Sequence, residues 1–267
     1  MRSVIIHYHL FKNAGSTLDG ILSRHFSDAE HGHIEGEHPW STVSPSDLLA
    51  FVTAHSELRA VSSHQARLPL PQDRGINFLP ILFLRHPLDR FASVYEFERR
   101  QSADSTSPSV AIARSGGLRE FAEWTVSRDA TAVCRNFQVI HLAGVQGDMR
   151  HARATHEDYI RALCVLAGLP FFGLVEAFDE SLAIMRTALK PVIGEMESQF
   201  VIENSSPRRG GSLEARVAKI ENELGTPLFR ELTEVNALDM LLYETARRKF
   251  RTLVSQFAGN TAGELAA

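Results

Sequence analysis

Residues 4–22 read VIIHYHLFKNAGSTLDGIL, and their reading decides the fold. Val4 to Leu10 is short, β-branched and aromatic, the composition of a strand. Lys12-Asn13-Ala14-Gly15-Ser16-Thr17 forms a tight turn, and Leu18, Ile21 and Leu22 then recur at helical spacing. The first amides of a helix lack intrahelical acceptors and carry the positive end of its dipole. Gly15 lets the backbone approach a ligand, Ser16 and Thr17 add hydroxyls, and Lys12 adds a full charge. Lys12, Asn13, Ala14, Gly15, Ser16 and Thr17 are therefore expected to cradle a phosphate-like anion. The turn is not a Walker A loop, which places lysine after its second glycine and directly before Ser or Thr; no such string occurs in the chain.

Working outward, residues 27–47 are polar and turn-rich and read as a long loop, and Asp47 to Leu58 as a short helix. Ala60 to His64 reads as a second strand that ends on His64. Phe78 to Leu84 is a buried-strand run that stops at Arg85, and Pro87 suits the first position of the helix that follows. Residues 99–117 are rich in Ser, Ala and Gly and read as a mobile loop. Leu118 to Ser127, Ala132 to Leu142 and Thr155 to Ala167 read as helices, the last with Thr155 and Asp158 as a capping box. Phe171 to Val175 reads as a third interior strand, followed by helices over Glu180 to Leu189, from Ser212 along Leu213, Val217, Ile220 and Leu224, and over Asn236 to Phe257.

Strands alternating with helices predict an α/β fold, a P-loop-like three-layer domain whose central, mainly parallel sheet is flanked by helices. The 267 residues form one domain in this reading, with 258–267 as a frayed tail. Ligands of such sheets bind beyond the carboxyl ends of the strands. Lys12, His64 and Arg85 all fall at those ends. A net charge of −4 argues against a polycation that seeks nucleic acid. No apolar run is long enough to suggest a membrane span or a signal peptide. Cys134 and Cys164 are too few for a disulfide framework and fit no zinc spacing, so a reducing, cytoplasmic setting is expected. His7 and His9 lie two apart on one strand face, and His31 and His33 are paired in a loop. No third ligand stands at a convincing spacing, and no metal site is expected.

Lys12-x-x-Gly15-Ser16-Thr17 after an opening strand resembles the 5′-phosphosulfate loop of sulfotransferases, particularly the carbohydrate type. Arg85-x-Pro87-x-x-Arg90-x-x-Ser93-x-Tyr95 is similar to their 3′-phosphate motif. Three later stretches resemble carbohydrate 2-O-sulfotransferase relatives: Asn136-Phe137-Gln138 with Leu142 and Gly144, Gly173 to Leu182, and Asn236, Asp239 and Leu242-Tyr243. Asn13 and Ala14 depart from the family's Thr and Gly, and His86 from its Asp. The resemblance implies transfer of a sulfuryl group from 3′-phosphoadenosine 5′-phosphosulfate, used as a co-substrate without a metal, to an acceptor hydroxyl on a glycan or glycolipid. It implies that Lys12 stabilises the leaving phosphate. The loop would hold the 5′-phosphate, and Arg85 and Ser93 the 3′-phosphate. His64 resembles the Gly-His element that supplies the general base, with Ser63 in the glycine's place; Glu35 and Glu37 are the reserve candidates. Arg208 and Arg209, beside Gly210-Gly211, are similar in composition to the Arg-Lys-Gly element that touches the 3′-phosphate in cytosolic sulfotransferases, or else form a solvated basic turn. The competing expectations are a P-loop-type small-molecule kinase and a non-catalytic nucleotide-binding module. No motif specifies an oligomeric state.

Overall fold

The computed structural model describes residues 1–196 and 210–264, so Arg208 and Arg209 lie outside the described residues. Five strands form one parallel sheet in the order β2-β3-β1-β4-β5. They are β1 (Arg2–Tyr8), β2 (His31–His33), β3 (Ala60–Ser63), β4 (Ile76–Leu84) and β5 (Gly173–Leu174). The opening strand is the centre of the sheet. Val4, Ile5 and Ile6 are fully buried, the continuous apolar run expected of a strand covered on both faces. Tyr8 pairs with Ser63 on one side and Leu82 on the other, so β1 and β3 finish level and β4 runs two residues further.

Helices flank this sheet. After β1 comes α1 (Gly15–His25); after β2, α2 (Pro45–Ala54), opened by a Ser44–Asp47 capping box. After β4 come α3 (Pro87–Glu98), α4 (Pro108–Ser115), α5 (Leu118–Val126), α6 (Phe137–Leu142) and α7 (His156–Gly168). After β5 come α8 (Phe178–Ile193), α9 (Leu213–Leu224), α10 (Thr226–Glu234) and α11 (Ala237–Glu264). One hydrophobic core lies about the sheet. A second joins α3 to α5, α9 and α10 through Leu88, Phe91, Phe121, Ile220 and Leu224. Among the described residues, no helix is long and apolar enough to cross a membrane.

Several local expectations need correction. Residues 27–47 are not wholly loop, because His31–His33 adds the edge strand β2 to β3. The segment 99–117 contains α4, which Pro108 opens. The stretch 132–142 is broken at Asn136, whose φ of 44° ends a 3-10 turn and starts α6. β5 is an edge strand of two residues, not an interior one, because a 3-10 turn begins at Val175. That short edge also explains Pro80 inside β4. β5 pairs only with Phe83 and Leu84, so at Pro80 the ladder needs no N–H on that side.

Candidate anion-binding and acid–base site

The turn after β1 is held in a conformation that ordinary residues resist. Lys12 and Ala14 have φ of 64° and 66°; each costs on the order of 1 kcal/mol or more outside glycine. The surroundings impose it. Asn13 is 2% exposed and donates from Nδ2 to the Phe83 carbonyl at 2.8 Å and to Gln138 Oε1 at 2.9 Å. Arg85 Nη1 donates to the Lys12 carbonyl at 3.0 Å, and Arg90 Nη1 to the Phe11 carbonyl at 3.2 Å. With its carbonyls drawn inward, the turn leaves amides over. Among the described residues no backbone carbonyl accepts from Ala14, Gly15 or Ser16, and α1 has no side-chain cap. Alternating left- and right-handed residues at a helix start make an anion-binding concavity. Asn13, expected to serve a ligand, instead anchors the turn. A Cβ on Gly15 would lie 1.9 Å from the His9 ring, so this glycine admits the imidazole against the turn. Lys12 Nζ lies 4.5 Å from the centroid of the Phe97 ring.

Arg85 stands beside that turn, as the neighbouring of β1 and β4 requires. It is 5% exposed; Nε donates to Asp89 Oδ2 at 2.8 Å. Gln138 fixes the strand end by accepting from the Arg85 amide and donating to its carbonyl, both at 2.9 Å. Arg216 from α9 reaches the same carboxylate, with Nε 2.8 Å from Asp89 Oδ1. Burial raises the Asp89 carboxyl, but the two guanidinium groups outweigh it and hold it below the ordinary range. The two guanidinium groups share the Asp89 carboxylate at a cavity of about 270 Å³ lined by Arg85, Asp89 and Arg216 together with the acidic Glu176, Asp179 and Glu180. Lys219 and Gly210 join Arg216 at a second cavity, about 290 Å³. Ser93 is buried one helical turn beyond Asp89 and is not among the residues lining either cavity. Arg90 is buried within the fold, stacked 4.3 Å over Phe137. Sequence reading missed Arg216 and Lys219. They stand three apart on α9, Arg216 at the border of the apolar stripe of Leu213 and Ile220, where a charged side chain is ordinary and gives no signal of a site.

His64 follows β3, with its side chain about half exposed. Its Nδ1 is 2.9 Å from Glu35 Oε1, which also accepts from the His64 amide at 2.8 Å. A carboxylate only accepts, so Nδ1 carries the proton and Nε2 is left as a base. Glu35, a reserve candidate for the base, thus orients His64. Ser63 Oγ accepts from the amides of Gln65 and Ala66 and sets the turn after His64. On its other side His64 stacks on His9, centroids 3.9 Å apart.

Asp19, on α1, accepts from Nδ1 of both His7 and His9 at 2.7 Å. It is the third member that the spacing of His7 and His9 did not reveal, and the three ligand atoms lie within 4.8 Å of one another. The contacts are hydrogen-bond lengths, and they commit both Nδ1 protons to the carboxylate. Burial would raise Asp19, yet the two imidazoles hold it well below the ordinary range.

These histidines make the fold acid-sensitive. Burial pushes His9, His31 and His86 down to about 4, and His141 well down, from the ordinary 6.5. Below 6.5 the unfolded chain takes up protons that the folded chain refuses. Their contribution to stability is therefore complete above that pH and lost as pH falls toward 4. His9 and His86 each cost about 2 kcal/mol at pH ~5, and the less enclosed His31 costs less. Glu98, Glu176 and Asp239, raised by burial, oppose part of this. Denaturant titration is expected to give a free energy of unfolding lower by a few kcal/mol at pH ~5 than at pH ~7.5. Equal values would mean that the histidines charge where they sit.

Beside His64 lies a larger cavity, about 460 Å³, lined by Glu35, His64, Arg67 and Glu98, by the apolar Phe11, Trp40, Phe137 and Ile140, and at its rim by Arg150, which is paired with Asp148. The turn after β1, the Arg85 site and this cavity all lie at the carboxyl ends of adjacent strands.

No family model matches the chain. An uncharacterized protein of Archaeoglobus fulgidus is 34% identical over 250 residues, covering 91% of this chain and 95% of the relative. The chain belongs to the same family as this archaeal protein.

Proposed function

We propose that the protein moves a sulfuryl group from 3′-phosphoadenosine 5′-phosphosulfate to the hydroxyl of an acceptor. One observation carries the reading: an uncapped helix N-terminus with Lys12, the buried Arg85 and the half-buried Arg216 on one carboxylate, and a carboxylate-oriented histidine meet at the ends of three adjacent strands. The nucleotide, when bound, supplies an activated sulfuryl group on an oxygen that gains charge as the bond breaks. The amides of Ala14, Gly15 and Ser16 and the hydroxyls of Ser16 and Thr17 are placed to hold its 5′ end. Arg85 and Arg216 would hold the 3′-phosphate, a ligand whose geometry suits the guanidinium fork. Lys12 neutralises the developing charge. His64 Nε2 takes the acceptor's proton while Glu35 stabilises the imidazolium, so catalysis is positioning plus electrostatics. The unpaired Cys134 and Cys164 suit a reducing compartment, and we place the activity in the cytoplasm.

Calorimetric titration tests the donor. Binding of 3′-phosphoadenosine 5′-phosphate without Mg²⁺, much tighter than ATP, is the expected result. Mg²⁺-dependent ATP binding in its place would point to phosphoryl transfer and overturn the reading.

A further inference from the structure

The cavity beside His64 contains a charge that the transfer chemistry does not use. Arg67 is 2% exposed, and it lines this cavity. Its Nη1 donates to the carbonyls of Gln65 and Ala66 at 2.8 and 3.3 Å. Its Nε is buried with no hydrogen-bond partner. Among the described residues, no carboxylate forms an ion pair with it. The other deeply buried arginines differ: Arg85 has Asp89, and Arg90 has two backbone carbonyls and the face of Phe137. Burial draws Arg67 down to about 10, still ionised at neutral pH.

A buried guanidinium with an unmet donor is costly to keep. The nearby acids do not supply its missing partner. Glu35 acts on Arg67 only through its charge while its carboxylate holds His64, and Glu98 is engaged by Ser109. Phe11, Trp40, Phe137 and Ile140 make much of the remaining wall apolar, and about 460 Å³ suits a small molecule. A bare sugar would leave the aromatic wall poorly covered, and a neutral apolar molecule would leave Arg67 unpaired.

We infer that the acceptor is a hydroxy acid with a hydrophobic body, its carboxylate paired with Arg67, its body against Phe11, Trp40 and Phe137, and its hydroxyl toward His64. The role of the hydroxyl rests on the sulfuryl-transfer reading; recognition of the acid and the apolar body does not.

The test uses nucleotide-free full-length protein and three probes followed by calorimetry: 3-(4-hydroxyphenyl)propionate, its carboxamide, and methyl β-D-glucuronide. The aryl acid is expected to bind about tenfold or more tightly than its amide, the range of a charge-assisted pair. Arg67→Gln should abolish that difference while leaving the amide's affinity within about twofold, and Arg67→Lys should keep part of it. No binding of the aryl acid, equal binding of acid and amide, or a preference that survives Arg67→Gln overturns the assignment. Tighter binding of the glucuronide than of the aryl acid overturns its hydrophobic half. Should Arg67→Gln fail to fold, the wild-type comparison among the three probes still decides. A protein that prefers the aryl acid yet ignores 3′-phosphoadenosine 5′-phosphate would keep this site and lose the donor reading.

Discussion

Lys12→Ala is expected to lower turnover by about a hundredfold or more, the typical loss on removing one donor aimed at transition-state charge. Alanine keeps the Cβ, so the left-handed backbone at this position is neither relaxed nor further strained. The amides of the turn should stay in place, and affinity for 3′-phosphoadenosine 5′-phosphate should fall much less than turnover. Lys12 Nζ lies over Phe97 and near Phe11, and its charge acts on Glu98, so it stands on the cavity side of the turn. Lys12→Arg should retain part of the rate. Single-turnover measurements with labelled donor separate chemistry from binding. Turnover near wild type in Lys12→Ala would remove this residue from the mechanism.

His64→Ala should be at least as damaging, with a loss of about 10²–10⁴ in turnover and donor affinity nearly unchanged. Glu35→Gln should cost less, on the order of tenfold to a hundredfold, because an amide can still accept from Nδ1 but offers less support to an imidazolium. The double variant should be little worse than His64→Ala alone, since Glu35 acts through the histidine. Fully additive losses would show that Glu35 works by itself, and an unaffected rate in His64→Ala would move the base elsewhere in the cavity, with Glu98 the next candidate.

The strand ends were legible because each strand-like run stops at a charged or imidazole side chain: Phe11 before Lys12, Ser63 before His64, Leu84 before Arg85. A parallel sheet then brings those ends to one edge whatever the strand order. The partners were not legible. Asp19 meets His7 and His9 only through the phase of α1, and Glu35 meets His64 only because His31–His33 joins the sheet beside β3. Gln138 ties Asn13 to Arg85 across more than fifty residues of chain, and Arg216 arrives from a helix following the segment that drew attention to Arg208 and Arg209. Such contacts depend on tertiary packing, which no local pattern encodes.

Asn13, Arg85 and Arg90 between them tether the turn from Phe11 to Asn13 with no help from a ligand. A loop so pinned has little disorder left to lose when a nucleotide arrives. Association should accordingly resemble docking into a rigid mould more than wrapping by a soft flap, with a small ordering penalty subtracted from affinity. The same rigidity makes the nucleotide-free protein a fair template for the grip it would exert.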